Sequence, residues 1–147
     1  MEITPVSTIL MPVDFSVTSL TALAHAEELA HRYQAKLLLL YVVESVVAPM
    51  EFNAAAIIEV NRIEHADKRL EQLCRNEIRN DLDVATEITE GEPALAIVRV
   101  AQQERADLIV MGTHGHSGFR HLVLGSRAER VVRQAGCPVL TVGPGGC

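Results

Sequence analysis

The sequence predicts an α/β protein: a five-stranded parallel sheet, doubly wound, in strand order 3-2-1-4-5 with helices on both faces. Three observations lead there. Short apolar runs alternate with segments of helical period along the whole chain. Two of those runs, KLLLLYVV and DLIVM, are apolar at nearly every position, as in a parallel strand covered on both sides. Glycine and proline fall where strands and helices should end. With 147 residues and no internal repeat or linker, the chain fits one domain over 1–147.

Taken in order, Thr8 to Val13 is a short buried strand, and Ser16 is placed to cap the helix after it. That helix carries Leu20, Leu23, Ala26, Ala30 and Tyr33 at steps of three and four. Lys36 to Val43 is the second strand. Glu44 to Ala55 has no clear period and contains Pro49, which predicts a loop. A second helix follows, with Ile63, Ala66, Leu70 and Leu73 on one stripe.

Leu82 to Thr89 alternates, as a strand with one less-buried face does, and so belongs at a sheet edge. That preference selects 3-2-1-4-5 over the flavodoxin-like order 2-1-3-4-5. Gly91 ends the strand, and Pro93 suits the first turn of a third helix. Asp107 to Met111 is the fourth strand. A glycine-rich stretch leads to a helix over about Ser126 to Ala135, which Gly136 and Pro138 stop before the closing strand PVLTV.

Composition narrows the function. A net charge of −6 disfavours general nucleic-acid binding, and 3% aromatics with no Trp disfavours a base-stacking platform. The three cysteines are scattered, with no metal-ligand spacing, and read as reduced thiols. The opening residues lack the pattern of a signal peptide, and no apolar run is long enough to span a bilayer. A cytoplasmic protein with no nucleic-acid or membrane partner is expected.

In the predicted order, the crevice at the topological switch point lies between the first and fourth strands. Asp14 closes the first strand and Gly112 follows the fourth, so both should flank it. Gly112 and Gly115 would let the backbone approach a ligand or take a positive φ. Gly125 and Ser126 open the last helix, whose free N–H groups favour an anion such as phosphate. From Arg120 to Arg133 there are four arginines and one acid. A nucleotide would suit this set, with sugar and base near Asp14. Each feature also has a plain structural alternative: Asp14 or Ser126 as a helix cap, Arg127, Arg130 and Arg133 as a solvated face. His114 and His116 lack a third ligand for a metal. His25, His31 and His65 should face solvent. There is no Walker A lysine before Ser126, no GxGxxG after the first strand and no GxSxG.

These residues resemble the universal stress proteins over essentially the whole chain. The resemblance rests on the V-D at the end of the first strand, G-E-P at Gly91 to Pro93 and A-D-L-I-V-M-G at Ala106 to Gly112. It rests above all on G-x2-G-x9-G-[ST], matched by Gly112, Gly115, Gly125 and Ser126. The family resemblance implies binding of ATP, or AMP or ADP. Asp14 would contact the adenosine part, and the backbone at Val42 or Val43 would line the adenine pocket. Gly112, Gly115, Gly125 and Ser126 would hold ribose and phosphates, with Met111, Thr113 and His114 as neighbours. Arg127 departs from the family pattern and would add a phosphate contact or point to solvent. An accompanying Mg2+ or Mn2+ would be held through phosphate with help from Asp14 and Ser126.

The resemblance also implies a homodimer through the uncharged edge strand Val139 to Val142. No general base or catalytic lysine is placed by motif, so a stress-response regulator that binds ATP is expected over a slow ATPase or phosphotransferase. A nucleotide-independent scaffold is the third reading.

Overall fold

The computed structural model describes residues 3–45, 52–114 and 124–144, with backbone alone over 52–59. Strands β1 (Thr8–Pro12), β2 (Lys36–Val43), β3 (Val84–Glu90), β4 (Leu108–Gly112) and β5 (Val139–Val142) alternate with four helices. These are α1 (Val17–Tyr33), α2 (Phe52–Glu77), α3 (Pro93–Gln103) and α4 (Ser126–Gln134). All pairings are parallel, and the order is β3-β2-β1-β4-β5, as the alternating third strand predicts.

The consecutive apolar residues of β1 and β2 divide by parity between two cores. Ile9, Met11, Leu37 and Leu39 pack under α1 and α2, against Ala22, Ala26, Ala30 and Leu70. Leu10, Leu38 and Leu40 face the other way, with Ile109 and Met111, onto Ala94, Ile97 and Val100 of α3 and Ala128 and Val131 of α4. Period-two side chains sandwiched between helix layers explain why neither strand alternates in sequence.

Two expectations need correction. Leu20 and Tyr33 are exposed, at 42% and 53%. The stripe that faces the sheet is Ala22, Leu23, Ala26 and Ala30: three alanines let α1 sit close to the strands, with Leu20 and Tyr33 outside the contact. The loop expected over Glu44 to Ala55 is shorter, since α2 begins at Phe52. Its first turns are apolar at almost every position, which hides a period, while the run of alanines favours helix.

Ends are set by identifiable groups. Ser16 caps α1, its hydroxyl accepting from Ser19 N at 3.2 Å. Glu92 caps α3, its carboxylate accepting from Leu95 N at 2.9 Å, and Pro93 fills the first turn. Gly91, between β3 and that cap, has φ +138°, a conformation only glycine adopts readily.

Candidate functional site

The β1–β4 ladder pairs Ile9 with Leu108 and Leu10 with Ile109. Beyond it, at the carboxyl ends of the strands, lies a cavity of about 650 Å3. This is the size range of small-molecule sites and the position where open α/β sheets bind ligands.

On the β1 side the chain turns sharply through Asp14 and Phe15. Asp14 Oδ1 accepts from Ser16 N at 2.9 Å, while Asp14 N donates to the Ser19 hydroxyl at 3.2 Å. Asp14 thus shapes the turn, and Ser16, not Asp14, caps α1. Phe15 holds φ +62°, costly for an aromatic residue. Its ring packs on Tyr41 with centroids 5.6 Å apart, and the Arg69 guanidinium lies 3.9 Å from its centroid.

On the β4 side, Thr113 is buried and ties three elements together. Its N–H donates to Val142 O, its carbonyl accepts from Gly125 N, both at 2.9 Å, and its hydroxyl meets His114 Nδ1 at 2.8 Å. His114 Nε2 is buried with no hydrogen-bond partner among the described residues, and the ring lines the cavity.

Gly125 is the N-cap of α4 and contributes no side-chain cap. The helix therefore presents the cavity with backbone N–H groups that α1 and α3 cover with Ser16 and Glu92. Ser126 is the first helical residue rather than the cap. The described lining carries three arginines, Arg62, Arg69 and Arg127, against Asp14 and Glu44, a basic bias within an acidic chain. Among the described residues, no three His, Cys, Asp or Glu side chains gather to hold a metal ion. None of the described helices is long and apolar enough to cross a membrane.

The model of the universal stress protein family matches residues 5–143. The chain belongs to that family. It is 39% identical over 137 residues to universal stress protein MJ0531 of Methanocaldococcus jannaschii, covering 91% of this chain and 80% of that one. Among solved structures it resembles protein MJ0577, with TM-score 0.84, 27% identity and 95% and 97% of the two chains covered. Universal stress protein UspA from Lactobacillus plantarum superposes with TM-score 0.82 and 30% identity, covering 95% and 99%. More distant proteins of the same fold include one solved in complex with cAMP and an Arabidopsis thaliana protein with AMP bound, 23% and 20% identical.

In this universal stress protein the cavity gathers Asp14, Val42, Met111, Gly112, Thr113, His114, Gly125, Ser126 and Arg127. Val43 is not among its walls: the residue is buried and its carbonyl accepts from Gly91 N at 3.0 Å. Gly115, like His116, lies outside the described residues. Gly112 lines the cavity, yet a Cβ there would lie 3.0 Å from Thr18 Cγ2 and 3.2 Å from Ser19 N. The close approach it permits is to α1 of its own chain, and its φ is not positive. His25, His31 and His65 are exposed, as expected.

Among the described polar wall residues, Ser19, Tyr41, Glu44, Arg62 and Arg69 escape the sequence reading. Glu44 directly follows β2, so the strand-end rule could have found it. Arg62 and Arg69 are two turns apart on one face of α2, a spacing the apolar stripe obscured.

Proposed function

We propose that this universal stress protein is a nucleotide-responsive stress regulator that binds an adenine nucleotide, ATP above all, as one domain in a cytoplasmic homodimer. One observation carries the reading. The uncapped, glycine-led start of α4 and the carboxylate-bearing turn at Asp14 open onto a single cavity of about 650 Å3. Phosphates would lie on the α4 N–H groups and Ser126, and sugar and base near Asp14 and Val42. His114 Nε2, buried and with no hydrogen-bond partner among the described residues, suits a ligand, since such a nitrogen is rarely left unpaired. Bound AMP and cAMP in proteins of the same fold point the same way, but at their low identity the weight rests on this chain's own cavity. Any Mg2+ or Mn2+ would enter with the phosphates.

The test is calorimetric titration of nucleotide-stripped protein with ATP, AMP and GTP, with and without Mg2+, followed by analysis of the recovered nucleotide. Saturable, adenine-selective binding with ATP recovered intact is expected. No heat and no thermal stabilisation by any nucleotide would overturn the reading; recovery of ADP at turnover would replace regulation with hydrolysis.

A further inference from the structure

Glu44 meets Arg127 across the mouth of the cavity, with Nη2 and Oε1 2.7 Å apart. The Glu44 backbone carbonyl accepts from Arg62 of α2 at 3.0 Å. The end of β2, helix α2 and the start of α4 therefore converge on one acidic residue, and all three participants line the cavity. The other arginines of α4 are held elsewhere: Arg130 by Glu92 at 3.4 Å and Arg133 by Glu129 at 2.8 Å. Among the described residues of α4, Arg127 is the cation that faces the site.

It stands one residue after Ser126, at the positive end of the helix. Among the described residues its guanidinium makes one short contact, to Glu44, and its fork of donors matches a phosphate as well as a carboxylate. Both side chains are about half exposed, at 43% and 58%, so the pair is weak and readily exchanged.

We propose that Glu44 is an internal competitor for Arg127: it holds the guanidinium until a ligand phosphate takes it, so the site selects ligands by the charge of their phosphate end. This rests on the adenine-nucleotide reading and deepens it, naming the residue that reads the phosphates and the one that opposes them. Glu44 acts through Arg127 and is a positioning residue. The carboxylate also disfavours a phosphate near α4 directly, so competition must be separated from repulsion.

The experiment is titration of ATP, AMP and adenosine, at low salt, into the wild type, Glu44→Gln, Glu44→Asp, Arg127→Ala and the Glu44→Gln/Arg127→Ala double variant. Thermal unfolding of each, without ligand, confirms folding. Glu44→Gln is expected to tighten ATP roughly two- to fivefold, the scale of one exposed ion pair. The gain should be smaller for AMP and absent for adenosine. Glu44→Asp keeps the charge but draws it back by one methylene, and is expected to recover part of the gain. In the Arg127→Ala background the gain should shrink to the repulsive remainder. Equal gains with and without Arg127, an adenosine gain as large as that for ATP, or ATP binding indifferent to Glu44 would each overturn the competition and leave the nucleotide reading standing. Folded wild type and Glu44→Gln that both fail to bind ATP would remove both.

Discussion

The backbone nitrogen of Gly125 donates to the carbonyl oxygen of Thr113 at 2.9 Å, fastening the residue after β4 to the residue before α4. A Cβ on Gly125 would overlap that same oxygen. Gly125→Ala is therefore expected to destabilise the fold by about 1–3 kcal/mol, as overpacking against backbone does. Gly112→Ala should cost less, because its nearest neighbours, the Thr18 methyl at 3.0 Å and the α1 backbone at 3.1 and 3.2 Å, stand farther off than the Thr113 oxygen does from Gly125. Gly136→Ala, with nothing within 4 Å, serves as the control. Urea midpoints rank the three, and a Gly125→Ala midpoint equal to that of Gly136→Ala would show that the Thr113 contact yields freely.

Asp107 anchors the start of β1. Its Oδ2 accepts from Ser7 N at 2.9 Å, Ser7 Oγ at 2.8 Å and Thr8 N at 3.0 Å. The Ser7 backbone bond leads in holding the carboxyl below its ordinary range, against an opposing effect of burial. The unfolded chain, with the higher pKa near 3.9, takes up the proton first as pH falls. Stability from Asp107 is full above that value and lost as pH drops through the folded one. Asp107→Asn is expected to lose about 1 kcal/mol at pH 7. The gap to wild type should close below about pH 4. A gap that stays constant down to pH 3 would mean that the charge contributes nothing.

Helix α1 ends on Gln34 in the left-handed region, φ +53° and ψ +39°, with Ala35 N donating to Ala30 O at 2.9 Å. Gln34 is exposed, and glycine adopts this conformation without the Cβ penalty. Gln34→Gly is expected to raise stability by about 0.5–1 kcal/mol, the extra freedom of the unfolded chain taking back part of the gain. A lowered melting temperature would contradict this.

Strand β5 pairs with β4 on one side and is the last strand of the sheet. Leu140 on it and Val132 on α4 are 40% and 46% exposed. An uncharged edge with apolar neighbours invites a second copy. If the proposed homodimer forms through this edge, Leu140→Glu is expected to turn a dimeric wild type into a monomer in sedimentation velocity at micromolar concentration. Identical dimeric profiles would place the contact elsewhere, and a monomeric wild type would remove the dimer.

Much of the fold was legible because its rules are local. The unbroken apolar runs of β1 and β2 announce two covered faces, and the alternation of β3 announces an edge. What escaped depends on partners distant in sequence. Whether Leu20 or Ala22 faces the sheet turns on how closely α1 can approach it, which the period of α1 does not state. At the site, Asp14 and Gly112 could be brought together from strand order alone. The pairing of Glu44 with Arg127, 83 residues apart, could not, because it depends on side-chain reach across the mouth of the cavity.

The steric demands on Gly112 and Gly125 come from Thr18, Ser19 and Thr113 of the same chain. During divergence, a descendant could give up its ligand and still be held to both glycines by the need to fold. Their retention in a family member would then record architecture rather than occupancy. Losing either would cost stability unless the start of α1 or the start of α4 shifted to make room. Inherited glycines are thus a poor ledger of who still binds, and residues whose side chains reach into the cavity without bracing the fold are where that history would be written.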